Sequence, residues 1–456
     1  MRKGYLHSVV WIVLLTVLAL LGLYWLPNIQ LGDWQMRPID LLADVRADST
    51  STEVEQLDSL TAAVSTNTRV DTCRAGISCI NDMSDSEERG MTPLYDALVH
   101  RNELGRPVRI AVLGDSYIEG DIFTADLREL LQHHYGGCGV GFVPTSSQNP
   151  GFRRSVRHWA RGWTEHSANE AQGYSHTWSN LTGHYFTAGR GSFVELIGVE
   201  NYLSLLDTCT TSSFFFAGTG SASVRASVNG DAEQYFTASA SDNVGMLTVN
   251  GRMGRVRWTV DGPTSGMVFL GASMEDEQGV VVDNFALRSA SGLHLGHISE
   301  KMLADLDKVR HYDLVVIMYG LNVAGKQSSE FSSYRQQMTQ AIEHMKAAMP
   351  ETGFLIVSVG DREQKTAGGY RTLRGVLSLI NVQQQIAYDT HIAFWNLYTA
   401  MGGEGSIVRM VQNHEANLDY THINFRGGHR LARLLYDAIV WGEESYARYA
   451  KGGGHE

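Results

Sequence analysis

Two hydrophobic patterns follow each other along the chain beyond residue 90, and their order constrains the fold more than any other feature. Short apolar runs alternate with stretches that have the spacing of amphipathic helices. This alternation predicts a parallel sheet covered by helices on both faces, hence an α/β fold. The predicted strands are 108–113, 312–318, 354–359 and 391–395, and the predicted helices include 329–349, 373–388 and 428–441.

The segment from about residue 150 to 282 has a different pattern. It is a series of short β-rich runs, which Gly, Asn and Asp interrupt about every eight to twelve residues. Such a series predicts a β-sandwich or jelly roll. Because the α/β alternation resumes near residue 283, we expect an all-β module of residues 151–282 inserted into one α/β domain made of residues 91–150 and 283–450.

An apolar run at residues 8–26 predicts a membrane anchor. It contains nineteen residues without a charged side chain, enough as a helix to cross a hydrocarbon core of ~30 Å. Tyr24 and Trp25 lie at its far edge, where interfacial aromatic residues collect. A cleaved signal peptide is the alternative, but it would have a shorter apolar core and a small-x-small site, whereas this run ends in GLYWLPN. We therefore expect a retained single-pass signal anchor, a transmembrane helix.

Charges before the anchor predict its orientation. Arg2 and Lys3 place residues 1–7 in the cytoplasm and the rest of the chain beyond the inner membrane, in the periplasm or outside the cell. The polar residues 27–90 are expected to form a spacer, with one helix around 54–64.

Charge and cysteine content limit which kinds of partner and cofactor are expected. With 37 Lys and Arg against 49 Asp and Glu, the net charge is −12 and no long basic run occurs, so no nucleic-acid partner is expected. Cys73 and Cys79 share one polar loop and could form a local disulfide in an oxidising compartment, while Cys138 and Cys209 are far apart in the sequence. Neither a CxxC pair nor a Cys/His zinc spacing occurs, so no metal or cofactor is expected.

Three motifs carry residues suited to nucleophilic chemistry. Gly114-Asp115-Ser116 and Gly320-Leu321-Asn322 follow predicted strands, and Asp419-Tyr420-Thr421-His422 precedes the last helix. Ligands of open α/β sheets bind outside the carboxyl ends of the strands. A serine hydroxyl needs a base to become a nucleophile, that imidazole needs a carboxylate to fix its tautomer, and an asparagine amide can donate to an oxyanion. Taken singly, each motif also fits an ordinary turn or a helix cap.

In this order the motifs resemble the SGNH/GDSL hydrolase superfamily, over roughly residues 105–150 and 283–442. The resemblance implies a flavodoxin-like hydrolase fold, a three-layer sandwich around a parallel sheet. It also implies that Ser116 is the nucleophile, His422 the base and Asp419 the partner of that base. The oxyanion hole would combine the Ser116 backbone N–H, a backbone N–H from a second motif and the Asn322 side chain.

The second motif departs from the family pattern, which has a glycine there. Ser289 is in register with the motif, and Gly292 lies three residues later. A backbone N–H can donate from either residue, so both remain candidates.

A narrower resemblance is to the two-domain peptidoglycan O-acetylesterases of Gram-negative envelopes, where a carbohydrate-binding-like β-sandwich lies between the first and second motifs. The β-rich segment of this chain lies between Ser116 and Ser289, at the same place. The resemblance implies an esterase that removes O-acetyl groups from an envelope polysaccharide, peptidoglycan in those enzymes, through an acyl-serine. Two alternatives stay open: a polysaccharide O-acetyltransferase with the same triad, and a non-catalytic glycan-binding scaffold.

Several tryptophans of the β-rich segment could stack on sugar faces, although at least about half of such residues usually pack in a core. They are Trp159, Trp163, Trp178 and Trp258. His133 and His134 are interpreted as cationic residues at a helix end and not as metal ligands.

Two charged clusters complete the candidates. One is basic and could meet an anionic glycan, but it is interpreted as an offset to the acidic surface; it comprises Arg153, Arg154, Arg157 and Arg161. The other, Asp361-Arg362-Glu363, follows a predicted strand and could line the pocket, but it is expected to be a solvated loop.

Overall fold

The computed structural model of the chain describes residues 73–84, 90–170, 172–240, 243–325, 330–366 and 368–452, together with Trp11, Gln30, Leu31, Trp34 and Gln35. The chain divides into two compact units, residues 1–67 and 68–456. In the first unit, strands β1 (Gln30–Leu31) and β2 (Trp34–Gln35) form an antiparallel pair.

The predicted membrane anchor, residues 8–26, lies outside the described residues except for Trp11. The predicted spacer helix around 54–64 lies outside them as well. No helix in the part of the chain that the structure describes is long and apolar enough to cross a membrane.

A mainly parallel sheet lies in the second unit. Its strands are β3 (Asn81–Asp82), β4 (Val108–Gly114), β14 (Val280–Ala286), β15 (Leu314–Met318), β16 (Gly353–Val357) and β19 (Ala393–Trp395). The order is β14-β4-β15-β16-β19-β3, and only β3 is antiparallel to its neighbour. Every residue of β15, β16 and β19 is buried, as in strands covered on both faces. The prediction of an α/β fold with a parallel sheet is confirmed.

Helices pack on this sheet in two groups. Those described are α1 (Thr92–Val99), α2 (Thr124–Tyr135), α3 (Glu300–Arg310), α4 (Ser332–Ala348), α5 (Arg374–Asp389), α6 (Leu397–Met401), α7 (Ser406–Gln412) and α8 (Phe425–Gly452). Helix α8 packs against α1 and α2, whereas α4 packs against α3 and α5. Helix α1 also contacts β4 and β16, and α5 contacts β16 and β19, so both groups rest on the sheet.

Helix α8 is longer than the predicted helix 428–441. Gly442, directly after the predicted end, is still helical. Because it has no side chain, α8 can pack closely against Tyr95 of α1 at this position. A glycine that ends many helices therefore serves here as a contact point between two of them.

An antiparallel sheet forms the other large part of this unit. Its nine strands are β5 (Gly141–Pro144), β6 (Arg157–Ser167), β7 (His184–Ile197), β8 (Cys209–Gly218), β9 (Ser221–Val228), β10 (Gln234–Ser239), β11 (Asn243–Met253), β12 (Arg255–Val260) and β13 (Met267–Met274). The main order is β10-β9-β12-β7-β13-β8-β11, with β6 on β7 and β5 on β13. Strand β7 pairs with three others and so branches the sheet.

The unit contains two apolar clusters, and the larger one also includes side chains of the antiparallel sheet such as Phe215 and Leu270. In the antiparallel sheet Trp258 and Phe269 stack on the two sides of Phe214 within one cluster. The parallel sheet and its helices bury a second, larger cluster. The chain passes from one sheet to the other between Met274 and Val280, and β14 spans the predicted boundary at residue 282.

A buried ionic network joins the sheets where they meet. The Arg310 guanidinium lies 2.8 Å from a Glu275 carboxylate oxygen and 2.5 Å from an Asp283 oxygen. Arg109 also donates to Glu275, over 2.8 Å. Glu275 follows β13 and Asp283 belongs to β14, so one arginine at the end of α3 ties the two sheets together.

Near the start of the second unit, Cys73 and Cys79 form a disulfide with their Cα atoms 5.9 Å apart. The Ser78 carbonyl inside this loop accepts a hydrogen bond of 2.8 Å from the Trp395 indole. The disulfide loop is thereby attached to β19 of the parallel sheet.

Candidate active site

Ser116 lies in the turn that follows β4. The turn begins at Gly114, where an added Cβ would come within 2.9 Å of the Met318 carbonyl oxygen and 3.0 Å of the Ile118 side chain. Only glycine therefore lets β4 and β15 stay paired at this edge while the chain turns away. Ile118 donates its N–H to the Asp115 carbonyl and closes the turn.

His422 and Asp419 reach Ser116 from a loop that precedes α8. Both the Thr421 and the His422 backbone N–H groups donate to one Asp419 carboxylate oxygen over 3.0 Å. The other oxygen lies 2.7 Å from His422 Nδ1, and His422 Nε2 lies 3.1 Å from Ser116 Oγ. An ionised carboxylate only accepts, so Nδ1 carries the proton and Nε2 is left to accept from the serine hydroxyl.

The charge state of Asp419 suits this arrangement. Burial alone would raise the pKa of its carboxyl, but hydrogen bonds from His422 and Thr421 outweigh that effect and hold the pKa below its ordinary value. Asp419 is therefore ionised at neutral pH and can stabilise a positive charge on His422.

Asp115 connects the serine turn to the turn that follows β15. One of its oxygens accepts the Tyr117 N–H over 3.0 Å, and the other lies 3.3 Å from Asn322 Nδ2. Burial raises the pKa of Asp115 to about 6, although hydrogen bonds from the Tyr117, Gly320 and Leu321 N–H groups act in the opposite direction. The carboxyl is fixed between two motifs that lie 207 residues apart.

Asn322 contacts Asp115, the residue before Ser116, and its amide is engaged. Asn322 Nδ2 donates to the Ala290 carbonyl over 3.0 Å as well as to Asp115. These bonds orient the amide at the carboxyl ends of β4, β14 and β15. To donate to an oxyanion, the amide would have to share or exchange one of them.

The two candidates for the second motif lie in different surroundings. Ser289 is exposed, has a positive φ of 63° and follows Arg288 in the loop after β14. Gly292 has a φ of 88°, and an added Cβ would come within 2.8 Å of both Tyr319 and Met338 side chains. Arg288 lines a cavity that opens over Ser116, and Ser289 lines a second cavity beside that one.

Asp361-Arg362-Glu363 is not a solvated loop, and that expectation was wrong. Asp361 is fully buried and accepts the Thr372 hydroxyl and the Ile407 N–H, while the buried Glu363 begins the hairpin of β17 (Glu363–Thr366) and β18 (Gly369–Thr372). No local pattern in the sequence indicates this burial, because it depends on contacts with α7. Ser406, the first residue of α7, bonds to Asp361 although it lies 45 residues further along the chain.

The hairpin of β17 and β18 contacts the segments that carry two of the motifs, at Tyr420 and around Asn322. Its Glu363 N–H donates to the Tyr420 carbonyl over 3.1 Å, and the Tyr370 ring stacks on Tyr420 at 4.0 Å. Arg362 donates to the carbonyls of Leu321 and Ala324, which flank Asn322. The residues on either side of the predicted site thus depend on a hairpin that sequence reasoning missed.

A cavity of about 830 Å³ opens over the site. Ser116, Asp419 and His422 line it. Its other walls are Glu119, Ile122, Gln148, Asn149, Pro150, Gly151, Phe152, Arg288, Asn417 and Ile423. This volume is large enough for a sugar-sized ligand beside the serine.

The remaining candidates lie away from this cavity. Trp258 is fully buried, Trp163 packs edge-on against Phe269, and Trp159 is 63% exposed. Arg153 bonds to the buried Asp121, whereas Arg154 lies over the Phe425 ring, so these two arginines have structural roles. His133 and His134 lie in the last turn of α2, and His133 lies 3.8 Å from Glu129. Within the described residues, no group of three or more His, Cys, Asp or Glu side chains could hold a metal ion.

Comparison with known proteins adds a fold match. A solved structure of a peptidoglycan O-acetylesterase superimposes with a TM-score of 0.67 and 21% identity, over 80% of this chain and 99% of its own. The chain has the fold of that esterase. The similarity is far lower to a family two carbohydrate esterase from Cellvibrio japonicus, with a TM-score of 0.26, 10% identity, and coverage of 66% of this chain and 98% of that one.

The sequence matches no protein-family model, and no curated protein matches it. The structural match confirms the fold that the resemblance implied. By its name that neighbour is an ester hydrolase, in agreement with the class of enzyme predicted for this chain.

Proposed function

We propose that this chain is a serine esterase that removes O-acetyl groups from a cell-envelope polysaccharide, with peptidoglycan as its substrate. The observation that carries the proposal is the continuous contact from Asp419 through His422 to Ser116, over 2.7 and 3.1 Å. The shared fold with a peptidoglycan O-acetylesterase supports the choice of substrate.

In the proposed mechanism, His422 Nε2 takes the hydroxyl proton as Ser116 Oγ attacks the ester carbonyl. Asp419 holds the imidazole in the required tautomer and stabilises the imidazolium. The tetrahedral intermediate collapses, the sugar hydroxyl leaves with the proton from His422, and an acetyl-serine remains. Water, activated by the same imidazole, then releases acetate and restores the serine.

For the oxyanion hole we propose the Ser116 N–H, the Ser289 N–H and the Asn322 amide. Ser289 is favoured over Gly292 because it adjoins Arg288, which lines the cavity over Ser116. Gly292 instead packs against Tyr319 and Met338. Asn322 would turn one N–H from Asp115 towards the oxyanion, because an alkoxide-like oxygen is more basic than a carboxylate and accepts more strongly.

Hydrolysis is favoured over acetyl transfer by the exposure of the site. The Asp419 and His422 side chains are 48% and 41% exposed, so water can reach the acyl-serine. A transferase has to keep water away from that intermediate. The hydrogen-bonded Ser116, His422 and Asp419 also argue against a purely glycan-binding scaffold.

The proposal includes the chain's organisation. A flavodoxin-like SGNH hydrolase domain would comprise residues 91–150 and 283–450, with an inserted carbohydrate-binding-like β-sandwich of residues 151–282. Residues 8–26 would anchor the enzyme in the inner membrane with the hydrolase in the periplasm, where the disulfide of Cys73 and Cys79 is stable.

The test is hydrolysis of p-nitrophenyl acetate by the full-length protein in detergent, beside the Ser116→Ala variant. We expect a burst of p-nitrophenol and a protein mass increase of one acetyl group, both absent from Ser116→Ala. Equal hydrolysis by the variant would overturn the serine mechanism. Acetate released from O-acetylated peptidoglycan would support the substrate, whereas acetyl groups moved onto an added glycan without free acetate would indicate a transferase.

A further inference from the structure

A second cavity, of about 360 Å³, lies beside the cavity over Ser116. One side is formed by β6 and β7 of the antiparallel sheet, through residues such as Glu165 and His184. The other side is formed by residues 284–289, at the end of β14 and in the loop that follows. The cavity therefore lies between the two sheets, and of its lining the proposed mechanism uses Ser289 alone.

The two cavities adjoin. The same six residues line both, namely Glu119, Gln148, Asn149, Pro150, Phe152 and Arg288. Most of this shared wall is an exposed loop, Gln148 to Phe152, together with an arginine whose side chain is 69% exposed. A chain-like molecule with one unit over Ser116 can thus place its next unit in the second cavity without crossing a buried partition.

The second cavity carries hydrogen-bonding groups at half-buried positions. Glu165 lies 2.9 Å from His184 Nδ1 and accepts from Gln148 Nε2 over 3.3 Å. The Glu165 and His184 side chains are 23% and 19% exposed. A carboxylate, an imidazole and an amide that face one cavity form the kind of polar set that binds sugar hydroxyl and acetamido groups.

Charge in the second cavity restricts the ligand. Each of the two arginines that line it lies near a carboxylate of the same lining, Arg153 bonded to Asp121 and Arg288 3.8 Å from Glu119. Glu165 and Glu170 are further acidic residues of the lining. The hydrogen bond from His184 holds the pKa of Glu165 below its ordinary value, so that carboxylate is ionised. An acidic lining favours neutral or amine-bearing sugars over sugars with carboxylates.

We propose that this cavity is a second sugar subsite, which binds the neutral or amine-bearing unit adjacent to the acetylated one. The inference rests on the proposed esterase function and deepens it, because it assigns the enzyme to oligomeric glycans. Glu165, His184 and Gln148 would position the neighbouring sugar while Ser116 attacks the acetyl group.

The test uses the full-length enzyme and three kinds of probe: p-nitrophenyl acetate, O-acetylated chito-oligosaccharides of one to four sugars, and O-acetylated oligogalacturonates. We expect kcat/KM to rise about tenfold or more from one chito-sugar to two, mainly through a lower KM, without such a rise on the acidic oligomers. Glu165→Gln and Gln148→Ala are expected to remove most of the rise.

Glu233→Gln is the matched control, because Glu233 is an exposed carboxylate of the antiparallel sheet region that pairs with Arg225 away from both cavities. It should keep the full preference. Because a structural role of Glu165 would lower the melting temperature but leave the oligomer preference intact, melting temperatures are measured alongside the kinetics.

The outcomes separate the two proposals. Failure to hydrolyse p-nitrophenyl acetate would contradict the esterase function itself. Hydrolysis of that ester without preference for two sugars over one, or with a preference that Glu165→Gln retains, would overturn the subsite alone. A preference for the acidic oligomers would overturn its assignment to neutral or amine-bearing sugars.

Discussion

The two large sheets differ in burial, since β15, β16 and β19 are buried throughout whereas β6 and β10 are largely exposed, and they differ in where their strand ends lie. In the parallel sheet, Gly114, Ala286 and Met318 are level with one another on three adjacent strands. The segments that follow them carry Ser116, Ser289 and Asn322. In the antiparallel sheet, neighbouring strands end at opposite edges, and that sheet supplies cavity walls and none of the proposed catalytic groups.

This difference shows how strand direction gathers chemistry. A parallel sheet brings residues far apart in sequence to one edge, because every strand ends there. An antiparallel sheet offers a broad face instead, and here β6 and β7 form one side of the second cavity. The predictions below compare a change in the parallel part with a matched change elsewhere.

The largest effect is expected from His422→Ala. Loss of the base should lower kcat for p-nitrophenyl acetate by about 10³–10⁶-fold, and Asp419→Asn should lower it less. His166→Ala, in strand β6, changes a histidine that stacks on Tyr185 outside both cavities and should leave kcat within about threefold. A comparable loss of kcat in His166→Ala would show that the antiparallel part also contributes catalytic residues.

Arg310→Met is expected to cause the largest loss of stability. It leaves the buried Asp283 without the arginine that neutralises it and leaves Glu275 to its ion pair with Arg109, which should lower the free energy of unfolding by about 3–5 kcal/mol. Urea denaturation measures this. Arg335→Met is the control, because its ion pair with Asp389 is exposed and should contribute only about 0–1 kcal/mol. Similar values for both variants would show that the junction between the sheets is not held by this network.

Asn322→Ala should lower kcat by about 10²–10³-fold through loss of an oxyanion donor. Asn180 provides the comparison, since its buried amide donates to the Trp178 and His184 carbonyls in the antiparallel part. Asn180→Ala should lower the melting temperature but leave kcat of the folded protein within about threefold. Unchanged kcat in Asn322→Ala would remove this residue from the oxyanion hole.

The smallest effect is expected from Glu363→Gln and depends on pH. Burial and the nearby Asp361 raise the pKa of Glu363 to about 7 from an ordinary value of 4.5. The protonated form therefore stabilises the fold fully below about pH 4.5, and this contribution is lost as the pH rises through about 7. The variant and the wild type should melt alike at pH 5, and the variant about 1–3 °C higher at pH 8. A difference that does not vary with pH would contradict the raised pKa.

Much of the parallel part could be predicted from the sequence, because its signals are local. The strand that ends at Gly114 and the strand before Gly320 are short apolar runs with a turn motif after them, and the structure pairs them directly. The residues of the proposed triad come from motifs recognisable within four positions. The contact between Asp115 and Asn322, whose motifs follow adjacent parallel strands, follows from strand direction alone.

Other features depend on contacts that no local pattern contains. The burial of Asp361 and Glu363 depends on α7, and the attachment of Tyr420 to the hairpin depends on a stacked pair of tyrosines from distant segments. The second cavity appears only once β6 and β7 lie against the loop that carries Arg288. The orientation of the Asn322 amide is likewise set by Asp115 and Ala290, which lie 207 and 32 residues away.

The separation of Ser116 from His422 by 306 positions has a consequence for biosynthesis. At about 5–20 residues per second, the proposed nucleophile Ser116 is made some 15–60 s before the proposed base His422. A nascent chain, or one whose synthesis stops early, carries the serine without the imidazole that activates it. In the proposed mechanism, activity would thus begin only after residue 422 has been made, so shorter nascent chains would be inactive.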